Sequence, residues 1–140
     1  MRSIRLFTVV LLSLLASAAV AASGQIKVVY HLNDSANASA ALSNIRNHLA
    51  AAPKAKIVVV THGPGIDFLI DGAKNSTGNP YDVPVQELTE RGVEFRVCKN
   101  TLEGRKIDKS KLVSEARIVP SGVAEIARLQ AEEGYVYLKP

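Results

Sequence analysis

The chain has 140 residues, of which 47% are hydrophobic and 5% aromatic, and it carries a formal net charge of +4. Its 17 Lys and Arg residues fall to 15 once the N-terminal Arg2 and Arg5 are set aside, against 13 Asp and Glu. A body so nearly balanced offers no support for a nucleic-acid role. Cys98 is the single cysteine, so no intramolecular disulfide can form.

Residues 1–21 read as an export signal. Arg2 and Arg5 give the positive start, Leu6 to Leu15 the apolar run, and Ala19-Val20-Ala21 the small-residue cleavage site. The run of about ten residues falls short of the roughly 20 that span a bilayer, so no membrane span is expected. Residues 22–140 then form one domain, exported and, in a Gram-negative bacterium, periplasmic.

Gln25 to Leu32 and Lys56 to Thr61 are β-branched runs with the character of central parallel strands. Between them Asn33, Asp34 and Ser35 offer helix caps, and Ala38, Ala41, Leu42, Ile45 and Leu49 mark one helical face up to Pro53. Gly63-Pro64-Gly65 turns the chain, and Ile66, Leu69, Ile70 and Ala73 outline a short helix. Asp71 to Asp82 reads as an exposed loop, a lid or an oligomer contact. A helix from about Val83 to Arg91 is stopped by Gly92, and Val93 to Cys98 is the third strand.

Asn100 to Val113 holds one or two short helices, and Ala116 to Val119 a fourth strand. After Pro120 and Ser121 comes a helix with Val123, Ile126, Ala127 and Gln130 on one face, ended by Gly134; Tyr135 to Leu138 is the fifth strand. Alternation of strand and helix predicts a flavodoxin-like α/β three-layer sandwich with a five-stranded, mainly parallel sheet, and right-handed crossovers favour the order 2-1-3-4-5. His31, His62 and Cys98 then end three neighbouring strands at the carboxyl edge, where ligands bind in open α/β sheets.

Cys98 stands where a helix can begin at Asn100-Thr101-Leu102, with Arg96 and Lys99 beside it, conditions that lower a thiol pKa and suit it to accept sulfane sulfur as a persulfide. The competing reading is a buried cysteine acting as a small hydrophobe. His31 and His62 are candidates to orient the sulfur or exchange protons with it, whereas His48, on the first helix, reads as a surface residue. Arg96, Lys99, Arg105, Lys106, Lys109, Lys111 and Arg117 face only Glu103, Asp108 and Glu115, a solvated basic face or a site for an anionic sulfur species. Two imidazoles and a thiolate also suit zinc or copper if His31, His62 and Cys98 converge. A third alternative is a non-catalytic small-ligand module that binds anions at Gly63-Pro64-Gly65. Tyr81, Tyr135, Tyr137, Phe68 and Phe95 read as core or interface residues, and Asp67 and Asp71 as a solvated face.

The strings Val-Tyr-His-Leu-Asn-Asp, Asn-Ile-Arg-Asn-His-Leu, Val-Val-Thr-His-Gly-Pro-Gly and Gly-Val-Glu-Phe-Arg-Val-Cys-Lys-Asn-Thr-Leu, in that order, resemble the DsrE/DsrF-like family. The ending from Val-Pro-Ser-Gly-Val-Ala-Glu-Ile-Ala-Arg-Leu-Gln through Gly-Tyr-Val-Tyr-Leu-Lys-Pro is similar too. The resemblance implies a small α/β domain in which Cys98 is the counterpart of the cysteine that carries sulfur in relay members. It also implies a trimeric or hexameric homo-oligomer, no bound cofactor, and a small sulfur species or a thiol-bearing protein as partner. A carrier and a turning-over sulfurtransferase share these features, so the sequence leaves enzymatic activity open.

Overall fold

The computed structural model describes residues 24–140; the signal assigned to residues 1–21 lies outside them. Five parallel strands, β1 (Lys27–Leu32), β2 (Lys56–Thr61), β3 (Glu94–Cys98), β4 (Ala116–Val119) and β5 (Val136–Leu138), form one sheet in the order β4-β3-β2-β1-β5. Four α-helices join them: α1 (Ala38–Ala51), α2 (Asp82–Glu90), α3 (Lys99–Gly104) and α4 (Gly122–Glu133). Among the described residues no helix is long and apolar enough to cross a membrane.

The α/β layering is as the sequence implies, but the strand order is not 2-1-3-4-5. A right-handed crossover satisfies either order, because handedness fixes the side on which a helix lies and not where the chain reverses along the sheet. The reversal falls at the last connection, from β4 at one edge to β5 beyond β1. The larger core accordingly joins α1, α2 and α3 to one face through Val28, Tyr30, Ile57, Val59, Phe95 and Val97. The other face carries a smaller core of Val29, Val58 and Val60 against Ile126 and Leu129 of α4, with Tyr135.

Local chemistry explains the elements. In α1 the buried Leu42, Ile45 and Leu49 recur at helical spacing, and each such side chain contributes about 1.5–3 kcal/mol on leaving water. A turn of 3-10 helix, Ser35–Asn37, precedes α1, and its Ala36 N–H donates to the Asp34 carboxylate. The helix expected from Ile66 to Ala73 is instead 3-10 in form over Gly63–Leu69, whose end is fixed when Ile70 bridges to Leu112. Asp71 to Asp82 is a largely exposed loop, folded on itself by Asn75, whose side chain accepts from the Thr77 and Asn79 amides. In α4 the buried stripe is Gly122, Ile126 and Leu129; Val123 is 61% exposed, and Ala127 and Gln130 also face outward. Ser121 caps that helix, and Gly134, at φ 72°, ends it in the left-handed conformation that glycine adopts without strain.

Candidate functional site

In the observed order β2 lies between β1 and β3, so at the carboxyl edge His62, just past the end of β2, separates His31 from Cys98. All three stand on the α4 side of the sheet, the thinly covered side. Cys98 closes β3 and is the residue from which α3 starts, in extended conformation with φ −69° and ψ 117°. Its side chain is buried, with 5% exposure.

Two helix starts meet the thiol. The sulfur makes no full capping bond to α3, yet the backbone N–H groups of Gly122, Thr101 and Asn100 and the Thr101 hydroxyl surround it as donors. Burial alone pushes the Cys98 thiol up; those donors, Gly122 foremost, outweigh it and bring the pKa below that of an ordinary thiol. Gly122 reaches this position because it has no side chain. A Cβ there would stand 3.2 Å from the Cβ atoms of both Cys98 and His62 and 3.3 Å from the Thr61 carbonyl oxygen. Thr101 is fixed in turn by the Gly63 N–H, which donates to its hydroxyl oxygen at 2.9 Å and leaves the hydroxyl proton free to point at the sulfur.

The histidines form a chain of their own. His31 Nε2 and His62 Nε2 are 2.6 Å apart, and His31 Nδ1 lies 2.7 Å from the Tyr137 hydroxyl of β5. Burial lowers both imidazole pKa values; for His31 the facing His62 and then Lys139 add to the effect, and for His62 Lys139 does. One Nε2 must donate and the other accept, so the contact excludes protonation of both rings at once, in keeping with the lowered pKa values. Passing every proton one step along Tyr137–His31–His62 preserves both hydrogen bonds, so the chain can carry a proton in either direction. His48, expected to be free on the surface, is half-buried and shares a 3.0 Å hydrogen bond with the Tyr30 hydroxyl.

The basic residues near Cys98 are spent elsewhere. Arg96 pairs with Glu94 at 2.8 Å and with Glu125 of α4, so it does not act on the sulfur as a free cation. Lys99 is exposed and lies 3.3 Å from Glu103, and Arg105 donates to Asp67 at 2.6 Å. Asn100 contributes through its backbone N–H.

The metal alternative gains no geometric support: among the described residues no three His, Cys, Asp or Glu side chains are arranged to hold an ion, and His31 and His62 face each other at hydrogen-bond distance. Nor is Gly63-Pro64-Gly65 an anion cradle, because the Gly63 N–H is given to Thr101 and the Gly65 N–H to the His62 carbonyl. Gly65 is required by packing, since a Cβ on it would fall 2.2 Å from the Leu32 carbonyl oxygen.

Sequence reasoning missed Tyr137, Thr101 and Gly122. Tyr137, which the sequence places in the core or an interface, is 38% exposed on the edge strand β5 and reaches His31 on the neighbouring β1. A signal existed for Thr101, three residues after Cys98 as a cap partner stands, and for Gly122, which directly follows the capping Ser121.

The family model of the DsrE/DsrF-like family matches residues 14–140. Among solved structures the chain is similar to the protein of unknown function MTH1491 from Methanobacterium thermoautotrophicum, at 32% identity and a TM-score of 0.74, over 83% of this chain and 100% of that one. It is also similar to the ychN protein from E. coli, with a TM-score of 0.62 over 83% of this chain and 99% of that one; at 16% identity that likeness is one of fold. No curated protein matches the chain. A family match that runs to the last residue, over a fold shared along the whole length of both solved structures, shows that the chain belongs to the DsrE/DsrF-like family.

Proposed function

We propose that the protein handles sulfur at Cys98, accepting a sulfane sulfur as a persulfide and passing it to a thiol. The observation that carries this reading is the seat of Cys98 at the start of α3 with the first residue of α4 packed on it, so close that a Cβ on Gly122 would stand 3.2 Å from the Cys98 Cβ; the backbone N–H groups at these two helix starts bring the thiol pKa down despite burial. Membership of the DsrE/DsrF-like family supports a sulfur-relay role at the level of the family.

The chemistry balances without an added oxidant. The Cys98 thiolate attacks the outer sulfur of a polysulfide or low-molecular-weight persulfide; the donor's S–S bond breaks, and its inner sulfur leaves as a thiolate. An acceptor thiolate then attacks the outer sulfur of the Cys98 persulfide and releases Cys98 as the thiolate. With the side chain 5% exposed, a small donor fits better than a bulky one. Tyr137, His31 and His62 exchange protons with the leaving and entering sulfur species. In this reading residues 1–21 direct export to the periplasm, and the domain acts as a homo-oligomer.

The test is intact mass spectrometry of the protein and of Cys98→Ser after exposure to polysulfide. A one-sulfur increment that a reductant removes, present only where Cys98 is, is expected. Folded protein that gains no sulfur sinks the proposal.

A further inference from the structure

The residues that aim α4 at the thiol are themselves tied to the sheet. Arg96 lies two residues before Cys98 on β3, its side chain 15% exposed; it is gripped by Glu94 on its own strand and by Glu125, 12% exposed, in the first turn of α4. Glu125 is held from the other side by Arg128 at 2.9 Å, and Arg128 is paired with Glu133 at 2.7 Å. The chain Glu94–Arg96–Glu125–Arg128–Glu133 thus runs from the central sheet along the helix whose first residue, Gly122, donates toward the sulfur. Few apolar side chains hold α4 in place, with Ile126 and Leu129 buried against Val29, Val58 and Val60, and these lie farther along the helix than Gly122. The tie nearest the thiol is ionic.

From this geometry we infer that the Arg96–Glu125 pair is a positioning device, which seats the first turn of α4 on Cys98 and so sets the reactivity of the thiol. The inference rests on the reading of Cys98 as the reactive group. Arg96 acts through the helix and not on sulfur, because its guanidinium is already divided between two carboxylates.

The sign of the effect separates positioning from bare electrostatics. The charged and titratable groups around Cys98 are Arg96 and Glu94 on β3, His62 after β2 with His31 and Lys139 beyond it, Lys99 and Glu103 on α3, Arg117 on β4 and Glu125 and Arg128 on α4. Removing the Glu125 carboxylate deletes a negative charge and frees Arg96, and both changes, acting through space, make the thiol more acidic. Loosening the first turn of α4 withdraws the Gly122 N–H and makes it less acidic.

The experiment is a pH titration of thiolate ultraviolet absorbance, read as the difference from Cys98→Ser, which removes the overlapping absorbance of the four tyrosines and leaves the single thiol. In Glu125→Ala, with the fold checked by circular dichroism, the midpoint is expected to rise by about half to one pH unit. In Arg96→Met/Glu125→Leu, where an apolar contact replaces the ion pair, it is expected to return to the wild-type value. A fall or no change in folded Glu125→Ala overturns the inference. If that variant does not fold, Glu125→Gln, which keeps the side-chain shape and removes the charge, decides on the same terms: a raised midpoint supports positioning, and a fall or no change overturns it. The readout needs no sulfur donor, so a thiol that responds in this way yet takes up no sulfur would refute the persulfide reading while leaving the positioning role intact.

Discussion

Gly122→Ala is the sharpest single perturbation of the site. Helix propensity alone favours it, by at most about 1 kcal/mol. The new methyl, however, meets the Cβ atoms of Cys98 and His62 at 3.2 Å and the Thr61 carbonyl oxygen at 3.3 Å. None of these is the far end of a flexible chain, so the start of α4 must back away by a few tenths of an ångström, and crowding of this kind costs about 1–3 kcal/mol. The net expectation is a loss of about 1 kcal/mol, or roughly 3–6 °C in Tm for a domain of this size. Retreat of α4 also carries the Gly122 N–H off the sulfur, which raises the Cys98 pKa. Thermal unfolding followed by circular dichroism, with thiolate absorbance against pH, reads both effects. A stabilised variant with an unchanged thiol midpoint would refute the claim that residue 122 is glycine because Cys98 is beside it.

Thr101→Val strands the Gly63 N–H and removes a donor to the sulfur, so it is expected to cost about 1–3 kcal/mol in urea unfolding and to raise the thiol midpoint. Tyr137→Phe is expected to lower stability by only about 0.5–1.5 kcal/mol while altering the pH profile of sulfur uptake, since it cuts the outer end of the proton chain; an unchanged profile would exclude Tyr137 from proton transfer. Because the folded-state pKa values of His31 and His62 lie below their unfolded value, the unfolded chain binds more protons as pH falls. Stability is therefore expected to be full above about pH 6.5 and to decline below it, and His31→Asn is expected to flatten that slope in urea melts across pH.

The parts legible in the sequence were those decided locally. The runs Ile57 to Val60 and Val28 to Leu32 must be interior strands whatever surrounds them, and the spacing of Leu42, Ile45 and Leu49 leaves α1 one face to bury. The strand order was not local, since reversal after β2 or after β4 satisfies the same handedness. The buried face of α4 was misjudged by taking Val123 as part of it, whereas the close approach at Cys98 selects Gly122 and shifts the stripe. Cys98, His31 and His62 could be found because each lies at, next to or just past the carboxyl end of a strand. The role of Arg96 could not, because its partner Glu125 is 29 residues away in another element. Tyr137 is farther still, 106 residues from His31, and only the return of the chain to pair β5 with β1 brings them together.

That return has a consequence in time. The cysteine is synthesised well before Ser121, Gly122 and Tyr137, and β5 adds to the sheet only by closing a loop of more than 100 residues onto β1. Long closures of this kind are late events in folding. Until α4 docks, Cys98 lacks its foremost donor, the Gly122 N–H, and is closer to an ordinary, sluggish thiol. On the proposed reading of Cys98, the acidity of the thiol therefore reports that α4 has docked.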